Sequence, residues 1–305
     1  MTVLGPELAP GNRGGDAALP SAPIKGRSLW DDARRRLFRN RAAVASLVML
    51  AILLVAAVVG PYLTPYAYDQ VNKNDVWVGP LTGAHLIGTD SLGRDLLARL
   101  LIGLRVSLAV GVVATVVSLV IGVAWGATAG YLGGKVDEVM MRIVDVLYSL
   151  PFIFFVILLM VTFGKNFILM FVAIGAVEWL TMARIVRGQT LSLKEKEFVE
   201  AARAGGVSSA AIVARHIAPN LLGPVVIYVT LTIPSVILAE SFLSFLGLGV
   251  QEPLTSLGVL ISDGAHDMEL APWLLIFPSL TMVLTLMCFN FIGDGLRDAL
   301  DPKDR

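Results

Sequence analysis

Apolar residues in this chain gather into long blocks, without the alternation or the every-third-or-fourth spacing of a soluble fold. A membrane-spanning helix needs about 20 mostly apolar residues. Six blocks reach or approach that length: Ala43–Leu63, Val106–Tyr131, Val144–Phe163, Phe167–Met182, Leu221–Phe242 and Pro272–Ile292. The pattern predicts an all-α polytopic membrane protein with six transmembrane helices. Met1–Ser28 is rich in Gly, Pro and Ala and reads as a flexible tail. It does not read as a signal peptide, because no apolar run begins until after Arg41. The expected organisation is a tail over 1–40, then a first helix and an outer loop with an interfacial helix over 41–104. A membrane core over 105–295 and a short tail over 296–305 complete it.

Charge adds an orientation. Of the 24 basic residues, 19 fall in the tails and loops on the side of the N-terminus and five on the other side. The positive-inside rule therefore puts both termini in the cytoplasm. Composition agrees: 56% of residues are hydrophobic and 16% charged, against about 25% charged in soluble domains. A formal net charge of zero argues against a nucleic-acid binder. Cys288 is the only cysteine, and His85, His216 and His266 are far apart, so neither a disulfide framework nor a metal-ligand spacing is present.

Ionisable residues inside a membrane mark ion and proton paths. The central parts of the six blocks have none; Asp145, Glu178, Glu240 and Asp294 fall toward block ends, where snorkelling or interhelical hydrogen bonding explains them. A nucleotide site is also missing, since Gly133-Gly134-Lys135-Val136 has no hydroxyl residue after the lysine. Uphill transport would need energy from a partner. Along the second block Ala114, Ser118, Gly122, Gly126 and Gly130 form a small-residue stripe that lets another helix approach closely. That helix belongs either to the same bundle or to another subunit.

The polar segment 183–220 is too long for a structureless loop. Ser192 with Glu195 makes a capping-box pattern. Phe198, Ala201, Ala202 and Gly205 then recur on one helical face, and Gly205-Gly206 supplies a stop. Ser208 caps a second short helix over about 210–216, which Pro219 ends. The expected product is a helix–turn–helix with an outer patch of small residues. Docking of another protein and contact with lipid headgroups both remain open as its role.

The residues of this segment resemble a family. Glu200-Ala201-Ala202, Gly205-Gly206, His216, Pro219 and Asn220 are similar to the EAA loop of importer-type ABC permeases. His85-Leu86-Ile87-Gly88-Thr89-Asp90 with Gly93-Arg94-Asp95 resembles the signature of the peptide and nickel branch, where proline often stands in place of Leu86. Thr89 or Asp90 is the expected cap of the helix after it, to about Leu104. Asp137, Met141, Arg142, Asp145, Ser149 and Pro151 match another family pattern, as does Glu240 through Gly249. Gly26–Trp30, Asp32–Arg36, Asn40–Ser46 and Cys288–Arg305 are similar to the C-type permease subunits of oligopeptide importers. The absence of a Pro-Pro pair near Gln251-Glu252-Pro253 leans the same way, although Leu257 departs from a tryptophan common in the branch.

The resemblance, over about residues 26–305, implies a type I ABC importer (MetI-like) permease core in a bacterial plasma (inner) membrane. It implies a heterodimer with a sister permease, two ATPase subunits and an extracytoplasmic peptide-binding protein, with peptide as cargo. ATP and magnesium would sit on the partner subunits, leaving this chain with no cofactor and no enzymatic chemistry. Residues 200–206 would be the contact face toward an ATPase. The same architecture carrying dipeptides, nickel or glutathione is one alternative; an ion-coupled secondary carrier and a non-transporting scaffold are others.

Overall fold

The computed structural model describes residues 29–164 and 167–300, so the predicted tail segments 1–28 and 301–305 lie outside the described residues. The described residues form helices α1 (Leu29–Arg39), α2 (Arg41–Leu63), α3 (Leu96–Leu132), α4 (Gly134–Ser149), α5 (Phe152–Phe163) and α6 (Phe167–Leu193). Short helices α7 (Glu197–Ala204), α8 (Ser209–Ile212) and α9 (Ala218–Asn220) follow, with a π-turn at Val213–Ile217. Then come α10 (Leu222–Phe245), α11 (Leu257–His266) and α12 (Trp273–Leu300). Five of these, α2, α3, α6, α10 and α12, are long and apolar enough to cross a membrane; α4 with α5, counted as one span bent by 85°, makes a sixth. The chain is a multi-pass membrane protein. Helix α2 shows why: it is apolar all round, yet buries fully only Ala43, Ser46 and Ala57, leaving a large apolar surface that suits lipid.

One face of the bundle, called here the terminal face, holds α1, the 194–220 segment and the end of α12. The opposite face holds the 64–95 loop and α11. Several elements differ from expectation. The second predicted span and the expected interfacial helix are one helix, α3, of 37 residues. At 1.5 Å per residue it is about 55 Å long, so its first turns stand outside a hydrocarbon core of about 30 Å. Its cap is Asp95, whose carboxylate accepts from the Ala98 N–H at 2.8 Å; Thr89 and Asp90 have other work. The third span is broken rather than straight. Pro151 has no N–H, and Leu150 before it is extended (φ −76°, ψ 132°), as residues preceding proline are. Helix α6 runs past Met182 to Leu193, because nothing in between breaks it. Glu178 thereby becomes the twelfth of its 27 residues, so the spans are not free of carboxylates as the block boundaries implied. Helix α12 likewise runs on to Leu300, into the stretch read as a tail, with Leu37 and Ala43 packed against its Gly295.

The small-residue stripe of α3 lies against α6 of the same chain. A Cβ at Gly122 would fall 2.6 Å from the Met182 side chain, at Gly126 2.4 Å from the Ala183 carbonyl oxygen, and at Gly130 2.8 Å from Thr190 Cβ. Backbones this close gain dispersion that lipid cannot supply to larger, looser interfaces. Helix α4 is tied to the same pair. Arg187 grips Asp137 with two hydrogen bonds of 2.5 and 2.6 Å, and Arg184 bonds Asp145 at 2.8 Å while lying over the Tyr148 ring at 4.1 Å. Interhelical pairing thus accounts for Asp145.

Proline within α2 creates a different demand. Pro61 has no N–H, so the Ala57 carbonyl loses its helical partner. Arg105 of α3 supplies one: its Nε donates to Ala57 O and its Nη2 to Val58 O, both at 2.8 Å. We expect Arg105→Leu to cost about 1.5–3 kcal/mol, the worth of hydrogen bonds from a charged donor. In a Pro61→Ala background, which restores the missing N–H, the same change is expected to cost about 1 kcal/mol less. Thermal unfolding of the detergent-solubilised chain measures both, and equal costs in the two backgrounds would refute the assignment.

Candidate functional site

Two regions hold the residues singled out by sequence. The first is the terminal-face segment after α6. The expected capping box at Ser192 and Glu195 is absent, because Ser192 is still inside α6; α7 begins at Glu197 with Lys196 as a cap that makes no side-chain bond. The face of α7 that packs inward is also not the expected one. Val199 is fully buried, Ala202 partly so, while Phe198 and Ala201 face outward. Val199 joins Ile212, Ile217 and Leu221 in an apolar cluster with Ala127 and Tyr131 of α3 and Met182 and Val186 of α6. The inward residue is not legible from the i, i+3, i+4 pattern, since alanines satisfy that pattern on either face.

The turn out of α7 follows expectation more closely. Gly206 adopts φ +76°, the Val207 N–H reaches back to Ala202 O at 3.1 Å and the Gly206 N–H to Arg203 O at 3.0 Å. This is the Schellman pattern, which requires the left-handed residue that glycine supplies cheaply. Ser208 caps α8 by accepting from the Ala211 N–H. Pro219 bends the chain without ending it. With no N–H at Pro219 to reach Arg215 O, the preceding turn widens to the π form, and Ala218 N–H bonds Val213 O. Pro219 then occupies the first turn of α9, a position that tolerates it. Asn220 Nδ2 donates to His216 O at 2.6 Å, closing the return into α10.

The outcome is a ridge with two sides. Glu200, Ala201, Arg203, Ala204, Gly205 and Gly206 are exposed, flanked by the half-exposed Phe198 and Val207. Val199, Ile212 and Ile217 key the ridge into α3 and α6. It holds no nucleophile–base pair, and no group of three metal ligands occurs among the described residues. Its chemistry is that of a contact surface seated on an apolar base.

The second region is a polar lobe on the opposite face. Gly88 and Gly93 have positive φ of 92° and 71°, and a Cβ at Gly93 would sit 1.8 Å from Asn72 O. They turn the chain tightly around Asp90. The Asp90 carboxylate accepts from the N–H groups of Leu92 and Arg94, both at 2.9 Å. It also accepts from Arg94 Nε at 2.7 Å and Arg99 Nη1 at 2.5 Å. Arg94 reaches Glu252 at 2.8 Å, and Arg99 approaches Asp263 of α11 at 3.5 Å. Thr89 donates to Asp75 O and accepts from the Val78 N–H. His85 Nδ1 lies 2.8 Å from the capping Asp95, with its ring stacked on Tyr66. Gly88, Thr89, Asp90, Gly93, Arg94 and Asp95 therefore form one folded unit. Arg99, Glu252 and Asp263 are partners that sequence reading missed; only Arg99, a lone cation opening an apolar run, offered a signal.

Burial alone would push the Asp90 carboxyl up, but the Arg99 charge and the Arg94 hydrogen bonds outweigh it and hold it below the ordinary aspartate value. A third polar unit lies nearby, on the lobe side of the bundle. Glu240 of α10 is fully buried and accepts from Ser244 at 2.6 Å and Ser256 at 2.7 Å. Ser256 also caps α11, and Ser107 of α3 approaches the other Glu240 oxygen at 3.4 Å. One carboxylate thus ties α3, α10 and α11 together.

Comparison with known proteins agrees with this architecture. Residues 122–305 match the family described as binding-protein-dependent transport system inner membrane component, and residues 28–80 match the N-terminal TM domain of oligopeptide transport permease C. The chain is 61% identical over 283 residues to the oligopeptide transport system permease protein OppC of Escherichia coli (strain K12), covering 92% of this chain and 94% of that one. It is 58% identical over 283 residues to the OppC protein of Haemophilus influenzae, covering 92% and 91%. A chain of the MetNI methionine ABC transporter, solved in inward-facing conformations, shares the fold with a TM-score of 0.53 at 20% identity, over 66% of this chain and 96% of that one. The chain belongs to the family of binding-protein-dependent transport system inner membrane components; it is a permease subunit and not an enzyme.

The lobe makes a pH prediction. Asp90 has a folded pKa below its unfolded one, so its contribution is fully present above about 3.8, the ordinary value, and is lost as pH falls through the folded value. Acidification below that point is expected to lower the melting temperature of the solubilised chain. Asp90→Asn leaves two buried guanidiniums without their shared carboxylate, at an expected cost of about 3 kcal/mol, and should flatten the acid-side loss. An unchanged melting temperature together with an unchanged acid limb would contradict the reading.

Proposed function

We propose that this permease is the C-type membrane subunit of an ATP-driven oligopeptide importer in a bacterial plasma membrane. In this reading both termini are cytoplasmic, so the ridge at Glu200–Gly206 faces the cytoplasm and the polar lobe faces outward. The chain pairs with a sister permease, two ATPase subunits bind below, and an extracytoplasmic peptide-binding protein delivers cargo above. ATP and magnesium are held by the ATPases. When they close, the ridge moves with them. Its motion passes through Val199, Ile212 and Ile217 into α3 and α6, and the path between the two permeases changes sides.

The observation that carries the coupling role is the ridge itself: exposed small residues outside, buried apolar keys inside. A loop resting only on lipid would have no need of rigid attachment to two spans. The oligopeptide cargo is supported by the names of relatives near 60% identity across nine-tenths of the chain.

A Gly206→Val substitution forces a β-branched residue to φ +76°, at about 1–2 kcal/mol locally, in a place where an added Cβ meets nothing within 4 Å. We expect the protein to remain folded while ATPase co-purification and peptide uptake fall by about tenfold, since 1.4 kcal/mol of lost docking corresponds to that factor. Glu200→Ala is expected to act in the same direction with no backbone strain. Normal uptake and normal ATPase binding in both variants would remove the docking role.

A further inference from the structure

The first helix carries a charged face that neither region above uses. Helix α1 is not a loose tail: Ala33 is buried and Leu37 packs on Gly295 of α12. Arg34, Arg35, Phe38 and Arg39 share the outward side, within an arc of about 140° at 100° per residue. All four are exposed, as is Arg41, the first residue of α2. Among the described residues Arg34, Arg35, Arg39 and Arg41 form no ion pair. Asp31, exposed within the same arc, and Asp32 open α1. Neither they nor Asp294 and Asp298 of α12 form an ion pair with these arginines among the described residues, and the face stays net positive with four arginines to one aspartate. Phe38, 58% exposed, lies beside Arg34, whose guanidinium is 5.8 Å from the ring centre.

Position decides what such a face meets. The apolar run of α2 starts directly after Arg41, and Asn40 caps α2 by accepting from the Ala42 and Ala43 N–H groups. Helix α1 therefore sits where the hydrocarbon begins. Guanidiniums at that depth meet phosphate esters, and a ring beside them reaches the acyl boundary. Basic clusters next to a span attract anionic lipid, and arginine pairs with phosphate in a two-pronged manner. We propose that the outward face of α1 binds anionic phospholipid headgroups through Arg34, Arg35, Arg39 and Arg41, with Phe38 inserted beside them. An acidic surface on a partner protein would use the arginines equally well but would leave no reason for the exposed phenyl ring at bilayer depth. The proposal does not depend on cargo or coupling; the transport reading only says which leaflet is involved.

The test uses the full-length chain, purified in detergent and delipidated, then titrated with phosphatidylglycerol, cardiolipin or phosphatidylcholine and weighed by native mass spectrometry. The unaltered chain is expected to retain the two anionic lipids severalfold over phosphatidylcholine. The combined Arg34→Gln, Arg35→Gln, Arg39→Gln and Arg41→Gln variant is expected to lose that preference. Equal retention of all three lipids by the unaltered chain, or an undiminished preference in the folded variant, would overturn the proposal. Should the variant not fold, Phe38→p-benzoylphenylalanine in the assembled membrane complex decides. A photo-crosslink to phospholipid supports the proposal, whereas a crosslink to a protein subunit overturns it.

Discussion

Helices α3 and α6 touch backbone to backbone. Gly122, Gly126 and Gly130 of α3 leave no room for even a methyl group against Met182, Ala183 and Thr190, and most of the terminal face follows from that contact. Arg184 and Arg187 extend from the same stretch of α6 to hold α4. Val186 and Met182 on one side, with Ala127 and Tyr131 on the other, make the floor on which Val199, Ile212 and Ile217 rest. A side chain at Gly126 would part the two spans and lift the ridge off its seat. Under the proposed coupling role, the stripe would join a packing requirement to a mechanical one, because a ridge that drives two helices needs them to move as a unit.

The opposite face is held by different physics. There the chain is outside the hydrocarbon, and buried charge does what close backbones do within it. Asp90 gathers two backbone N–H groups and two guanidiniums, and those guanidiniums reach on to Glu252 and Asp263. The 64–95 loop is thereby fastened to the top of α3 and to α11. Glu240 adds a second tie from within the bundle, through hydroxyls alone. The polar lobe and the ridge at the two opposite faces share α3, which runs between them for its full 37 residues.

Much of this was legible in the sequence, for physical reasons that also mark where reading stopped. Apolar blocks reveal spans because lipid imposes one length and one polarity. They do not reveal helix ends, since α3 and α6 run on through polar residues that the bundle or its lobe accommodates. Pro219 announced a disturbance but not its form, since it opens a π-turn and lets the helix continue, while Pro151, read only as part of a motif inside one apolar block, breaks that span. Local geometry at Gly206 and Ser208 was readable because a left-handed turn and a helix cap are short-range demands. The Val199 seat and the pairing of Arg94 with Glu252, 158 residues apart, depend on tertiary contact that no local pattern encodes.

The proposed coupling to partner ATPases is what the account rests on. The most direct measurement is peptide uptake into proteoliposomes holding this chain, its sister permease, the two ATPases and the binding protein. The expected result is uptake that requires ATP, persists in the presence of an uncoupler and stops when the ATPases are left out. Uptake that proceeds without ATP and collapses with the uncoupler would contradict the account.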